Sequence, residues 1–232
     1  MNQGAAAALS ISVVLTAILP HIPYARFISL PLLWFSTLAH ECGHGVTALL
    51  VGGSWRSLAM HSDASGVAVT AVSSRLGSAA VAAGGLVGPA VAAAVCFFLS
   101  RSPKGARVAL GVTAALLVLL LLTKAGNLFG FVYVSACALL FGLMARYLHD
   151  EASRMAVSFL GVQLAASVFS RSDYLFVRKV NIAGNSMSSD VEHIAEALWL
   201  PYWFWGAACG AFSLAVLAVG VWGALTPTLG ED

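Results

Sequence analysis

Charge is scarce in this chain. Of its 232 residues only 9% are Asp, Glu, Lys or Arg, against 59% hydrophobic. A soluble domain carries roughly a quarter charged residues, so this composition excludes a molecule wetted on all sides and reads as a polytopic membrane protein. The formal net charge is only +2, and no basic run or aromatic-basic interleaving accompanies it, so nucleic acid is excluded as a partner. Cysteine is sparse as well. Cys42, Cys96, Cys137 and Cys209 all sit within apolar runs and form no C-x-x-C pair. That argues against a disulfide framework and for small buried hydrophobes.

What is abundant is apolar sequence in long runs. A helix of about 20 apolar residues spans a bilayer. The runs begin at Gly4 to Leu19, which is short and closed by Pro20 and Pro23. No basic residue precedes it, so it reads as a retained first helix rather than a secretory signal. Phe27 to Val51, Ser78 to Ser100, Val108 to Leu122, Leu128 to Tyr147, Met155 to Phe169 and Leu200 to Leu225 follow. The expectation is an all-α membrane protein of about six to seven transmembrane helices, residues 1–232 forming one membrane-embedded domain. One interruption differs. After Gly52-Gly53, the stretches Ser54 to Met60 and Gly66 to Val72 alternate in period two around the turn cluster Ser62-Asp63-Ala64-Ser65-Gly66. They predict a short β-hairpin whose edge could pair an extended peptide.

The second run contains His40-Glu41-Cys42-Gly43-His44. Strongly polar groups at membrane depth cost roughly 2.5–3.5 kcal/mol each on insertion scales, so three together require a use. On a helix, residues four apart share a face. His40 and His44 can therefore bind one Zn²⁺, with Glu41 on the adjoining flank in reach of a metal-activated water. Cys42, two positions along, faces away from the pair. In the third run, Gly84-Gly85-Leu86-Val87-Gly88-Pro89 predicts either tight helix packing or a break that frees backbone groups for substrate, with Gly85, Gly88 and Pro89 as candidate substrate-binding positions.

Catalytic zinc takes three protein ligands and leaves a fourth position open. With acidic residues so few, the candidates for the third are Asp173, flanked by apolar residues at the end of the sixth run, or alternatively Asp190. The sequence Ser188-Ser189-Asp190-Val191-Glu192 also has the look of a helix N-cap. Glu192 and Glu196, spaced i, i+4, are the remaining acidic options.

These residues resemble a known family. His40 to Gly53 (HECGHGVTALLVGG), then Gly85-Leu-Val-Gly-Pro-Ala, look like the site-2 protease family of intramembrane zinc metalloproteases, and in particular its bacterial and fungal B-like branch. Asp173-Tyr-Leu-Phe, Ser189-Asp190 and the aromatic Trp199-Leu-Pro-Tyr-Trp-Phe-Trp stretch extend the likeness to about Trp222. The resemblance implies one zinc ion held by His40, His44 and a later aspartate, with Glu41 as general base. It implies a single-span or juxtamembrane protein as substrate, lipid as surroundings, and the bacterial inner membrane as location. The chain lacks the Asn-Pro…Leu-Asp-Gly element of better-studied members and any PDZ insertion. The alternative to a protease is a non-proteolytic metal-binding membrane protein, either a transporter or a degenerate protease that sequesters partners.

Overall fold

The computed structural model describes residues 2–170 and 175–226. The first helix, α1 (Gln3–Ile18), is short and apolar; α2 (Arg26–Leu50) carries the histidine motif in its last turns. A hairpin, β1 (Ser54–Met60) and β2 (Gly66–Ala71), follows. Then come α3 (Arg75–Ser100), α4 (Pro103–Lys124), α5 (Leu128–Tyr147) and α6 (Asp150–Ser170). A second hairpin, β3 (Lys179–Ile182) and β4 (Asn185–Ser188), leads into the short α7 (Asp190–Leu198) and the final α8 (Tyr202–Leu225).

Short polar caps set the starts of these helices. Ser74 Oγ accepts from the Gly77 N–H, Ser102 Oγ from Gly105 and Asn127 Oδ1 from Gly130, each at 3.0 Å. Each bond satisfies an N–H that has no partner within its own helix. Pro103 stands just after its cap, where its missing N–H costs nothing.

Among the described residues, five helices, α3, α4, α5, α6 and α8, are long and apolar enough to cross a membrane, and α1 is a shorter apolar helix. The protein is an integral membrane protein of helical class, in line with the span count expected from sequence. Helix α3 is central, packing against α2, α6, α7 and α8. Helices α4 and α5 pair at the periphery and turn Leu116, Leu119, Leu122, Leu139 and Leu140 outward. Such an apolar exterior suits lipid as solvent.

Of the two readings of the Gly-Pro element, tight packing holds and the break does not. The Gly-Pro element does not break its helix: α3 runs continuously through Pro89. Proline removes one N–H from the ladder, but the surrounding helices hold the rest in place. The β3–β4 hairpin has no counterpart in the sequence reading, since residues 179–188 carry too few apolar residues to announce strands. Its signal is the turn, where Ala183 and Gly184 both take positive φ, 48° and 83°, as a two-residue hairpin turn requires.

The predicted hairpin is present in antiparallel register, Leu58 opposite Ala68 and Met60 opposite Gly66. A bulge between Trp55 and Ser57 shifts the side-chain phase. Simple alternation would put Trp55 on the face opposite Leu58 and Met60. The extra residue, Arg56, lets all three be buried.

Candidate metal centre

The last turns of α2 present His40 and His44 one above the other, as their four-residue spacing dictates. Their Nε2 atoms stand 3.1 Å apart. Asp190, the first residue of α7, brings Oδ2 to 3.1 Å from His40 Nε2 and 3.4 Å from His44 Nε2. A tetrahedral ion with bonds of about 2.0–2.1 Å sets its donors roughly 3.3 Å apart. Two imidazoles and a carboxylate at these separations therefore match the donor set and the spacing of a zinc-like divalent ion. The side chains are mostly buried, at 18%, 13% and 19% exposure for His40, His44 and Asp190.

Local structure explains why Asp190 is free to do this. Capping of α7 falls to Ser189, whose Oγ accepts from the Glu192 N–H at 3.3 Å. The Asp190 carboxylate is left to face α2. Burial alone would raise its pKa, but the charge of His44 and the hydrogen bond from His40 outweigh that and hold the carboxyl well below the usual range. The two imidazoles thus hold the carboxylate as an anion in a largely dry place.

His44 is oriented from behind. Its Nδ1 lies 2.8 Å from the Val81 carbonyl of α3. A carbonyl only accepts, so Nδ1 carries the proton and Nε2 offers its lone pair to the cluster. Gly85 makes the approach possible, since a Cβ there would collide with the His44 ring. Gly88 likewise faces α2, where a Cβ would come within 3.0 Å of the Ala39 carbonyl oxygen. Neither glycine lines the cleft beside the cluster; Pro89 lines a separate small cavity behind His40.

Glu41 is 5% exposed and sits against β2. The Ala68 N–H, turned away from β1, donates to Glu41 Oε2 at 2.7 Å. Thr37, one turn earlier, donates to the Ala64 carbonyl at 2.8 Å and ties α2 to the hairpin turn. Cys42 packs against the apolar core and takes no part. Glu192 pairs with Arg178 at 3.5 Å and Glu196 stands 3.9 Å from His193, so neither joins the cluster. Asp173 lies outside the described residues.

The cluster opens into a cleft of about 280 Å³. One wall is β2, through Gly66, Val67, Ala68 and Thr70; the other is the second hairpin, through Val180, Ile182, Met187 and Ser188. Sequence reasoning missed the Val81 carbonyl and the Ala68 N–H because backbone groups leave no mark in residue identity.

The family model described as peptidase M50B-like matches residues 7–220. The chain belongs to the peptidase M50B-like family. A helical membrane protein with paired motif histidines is what membership leads one to expect of a membrane metalloprotease of the site-2 type. No match emerged among curated proteins or among solved structures.

Proposed function

We propose that this M50B-like chain is a zinc endopeptidase of the bacterial plasma membrane, hydrolysing a peptide bond within or beside the span of a single-span protein. The observation that carries this reading is the meeting of Asp190 Oδ2 with both motif imidazoles, at 3.1 and 3.4 Å, next to the Glu41 carboxylate. His40, His44 and Asp190 would hold one zinc ion. Bound there, zinc supplies a Lewis acid that brings the pKa of a water to about 7 and polarises a carbonyl.

Glu41 then serves as base and acid in turn. It takes a proton from the attacking water as the water oxygen bonds to the carbonyl carbon. It returns that proton to the amine nitrogen as the C–N bond breaks. The Ala68 N–H holds one of its oxygens, leaving the other for the proton. An extended peptide would lie along β2, whose Gly66, Val67 and Thr70 line the cleft. Lipid surrounds the site, and nucleic acid has no part in it.

The test combines zinc content and cleavage of a reconstituted membrane substrate. Glu41→Gln keeps zinc and loses cleavage by at least about 10²-fold, the lower end for a positioned general base. His44→Ala and Asp190→Ala lose zinc and cleavage together. Sustained cleavage by Glu41→Gln, or full zinc retention by Asp190→Ala, contradicts the assignment.

A further inference from the structure

The two imidazoles of the cluster are supported unequally. His44 has the Val81 carbonyl behind it, 2.8 Å from Nδ1. His40 directs Nε2 to Asp190 and His44, and its Nδ1 has no hydrogen-bond partner among the described residues. A metal-binding imidazole normally gives its second nitrogen to an acceptor, which fixes both tautomer and ring orientation.

His40 also lines a cavity of about 40 Å³ on the side away from the cleft, together with Ser36, Leu86, Pro89, Ser167, Val168 and Leu175. Ser36 lies one helical turn before His40, on the same face of α2. It is only 4% exposed, and its hydroxyl has no hydrogen-bond partner among the described residues. A hydroxyl kept from bulk water is better bonded than bare, so Ser36 too wants a partner. A water needs about 10–15 Å³ of such space and two to four polar groups. Ser36 and His40 supply two such groups, and the cavity, bordered also by Ser167 whose Oγ donates to the Leu164 carbonyl at 2.7 Å, supplies the space. It shares Ser36 and Ser167 with a groove of about 250 Å³ between α2 and α6, also lined by Ser29 and Gln163. That groove, lined also by Leu30, Leu32, Leu33 and Ala166, is an opening separate from the cleft.

We infer that a buried water held by Ser36 bonds to His40 Nδ1 and orients this ring as the Val81 carbonyl orients His44. Ser36 is then a positioning residue for the metal. The inference rests on the metal reading above. It adds that a hydroxyl one turn from the motif sets how tightly the ion is held.

The test uses the full chain in detergent, with Zn²⁺ as probe and a competing chelator to measure affinity. Ser36→Val and Ser36→Thr have nearly the same shape, and only threonine keeps the hydroxyl. Valine is expected to weaken zinc binding by about 10–100-fold, the usual effect of removing such a partner, while threonine stays within about threefold of wild type. Equal affinity in wild type and the valine protein overturns the inference, and so does equal weakening by valine and threonine, which would reveal packing alone. A wild-type chain that holds no zinc overturns the metal reading itself and is told apart by that result. Should Ser36→Val fail to fold, Ser36→Ala gives the comparison with less added volume and an expected loss of about tenfold; unchanged affinity there is again decisive against it.

Discussion

The two walls of the cleft are both antiparallel hairpins, but they are held in very different ways. Hairpin β1–β2 drives Trp55, Leu58 and Met60 into the core. Lys124 Nζ donates to the Trp55 carbonyl at 2.6 Å. Asn127 clasps Met60 from both sides, accepting from its N–H at 3.2 Å and donating to its carbonyl at 2.6 Å. Hairpin β3–β4 is exposed or half-buried along its length. Among the described residues it reaches the first hairpin through a long bond, the Ala183 N–H to Ser65 Oγ at 3.3 Å. A segment with few buried apolar contacts opens at low free energy, whereas one built into the core opens only with the whole fold. The wall that positions Glu41 is therefore the fixed one, and the opposite wall is the one able to yield to an incoming chain.

The largest effect is expected from breaking the fixed wall at Asn127. Asn127→Leu leaves the Met60 N–H and carbonyl unpaired and removes the cap of α5. Each unpaired buried group costs about 1–3 kcal/mol and a lost cap about 1. Since the site is only partly buried, a net loss of about 3 kcal/mol is expected in detergent unfolding experiments. A loss below about 0.5 kcal/mol would mean that this wall is no better anchored than the other.

That contrast also explains what could be read from the sequence. Fixed-spacing features were legible: His40, Glu41 and His44 share one helix, so their geometry follows from the helical repeat. The long apolar runs gave the spans. Hairpin β1–β2 was legible because a hairpin with a buried face alternates. The weakly anchored hairpin has no buried face, hence no alternation, and only Ala183-Gly184 marks it. The carboxylate that meets the two imidazoles was legible only as one of several. Asp190 lies 146 positions beyond His44 in the chain, and nothing local distinguishes an aspartate that caps a helix from one that faces a distant imidazole. What separates them is which of Ser188, Ser189 and Asp190 supplies the cap; it is Ser189, a choice the residue types alone leave open.

A smaller effect, on turnover rather than stability, should come from the edge of the fixed wall. The Ala68 N–H points away from β1 and serves Glu41. Proline is tolerated on an edge strand where the N–H it removes makes no ladder bond. Ala68→Pro therefore deletes the support of the carboxylate while sparing the pairing with β1. A charge-assisted bond contributes about 1.5–3 kcal/mol, so kcat should fall by about 10–100-fold with zinc content unchanged. If kcat is unchanged in a folded Ala68→Pro protein, the fixed wall shapes the cleft without orienting the base.

The smallest global effect, and the sharpest contrast, is expected at the tip of the yielding wall. Gly184 has φ near +83° and open space where a Cβ would stand. Alanine there meets no neighbour, so its whole cost is the left-handed backbone, about 1–2 kcal/mol. If β3–β4 opens independently, that cost falls on the local opening equilibrium. Amide exchange at Lys179–Ile182 and Asn185–Ser188 should then speed up by about 5–30-fold, the same free energy expressed as an equilibrium ratio. The unfolding midpoint should hardly move, because the remainder of the protein does not depend on this hairpin. A midpoint that falls by the full amount, with exchange in β1–β2 rising in step, would show that the two walls open as one unit. In that case a peptide could enter only by loosening the strand that holds Glu41, and binding would disturb the base it needs.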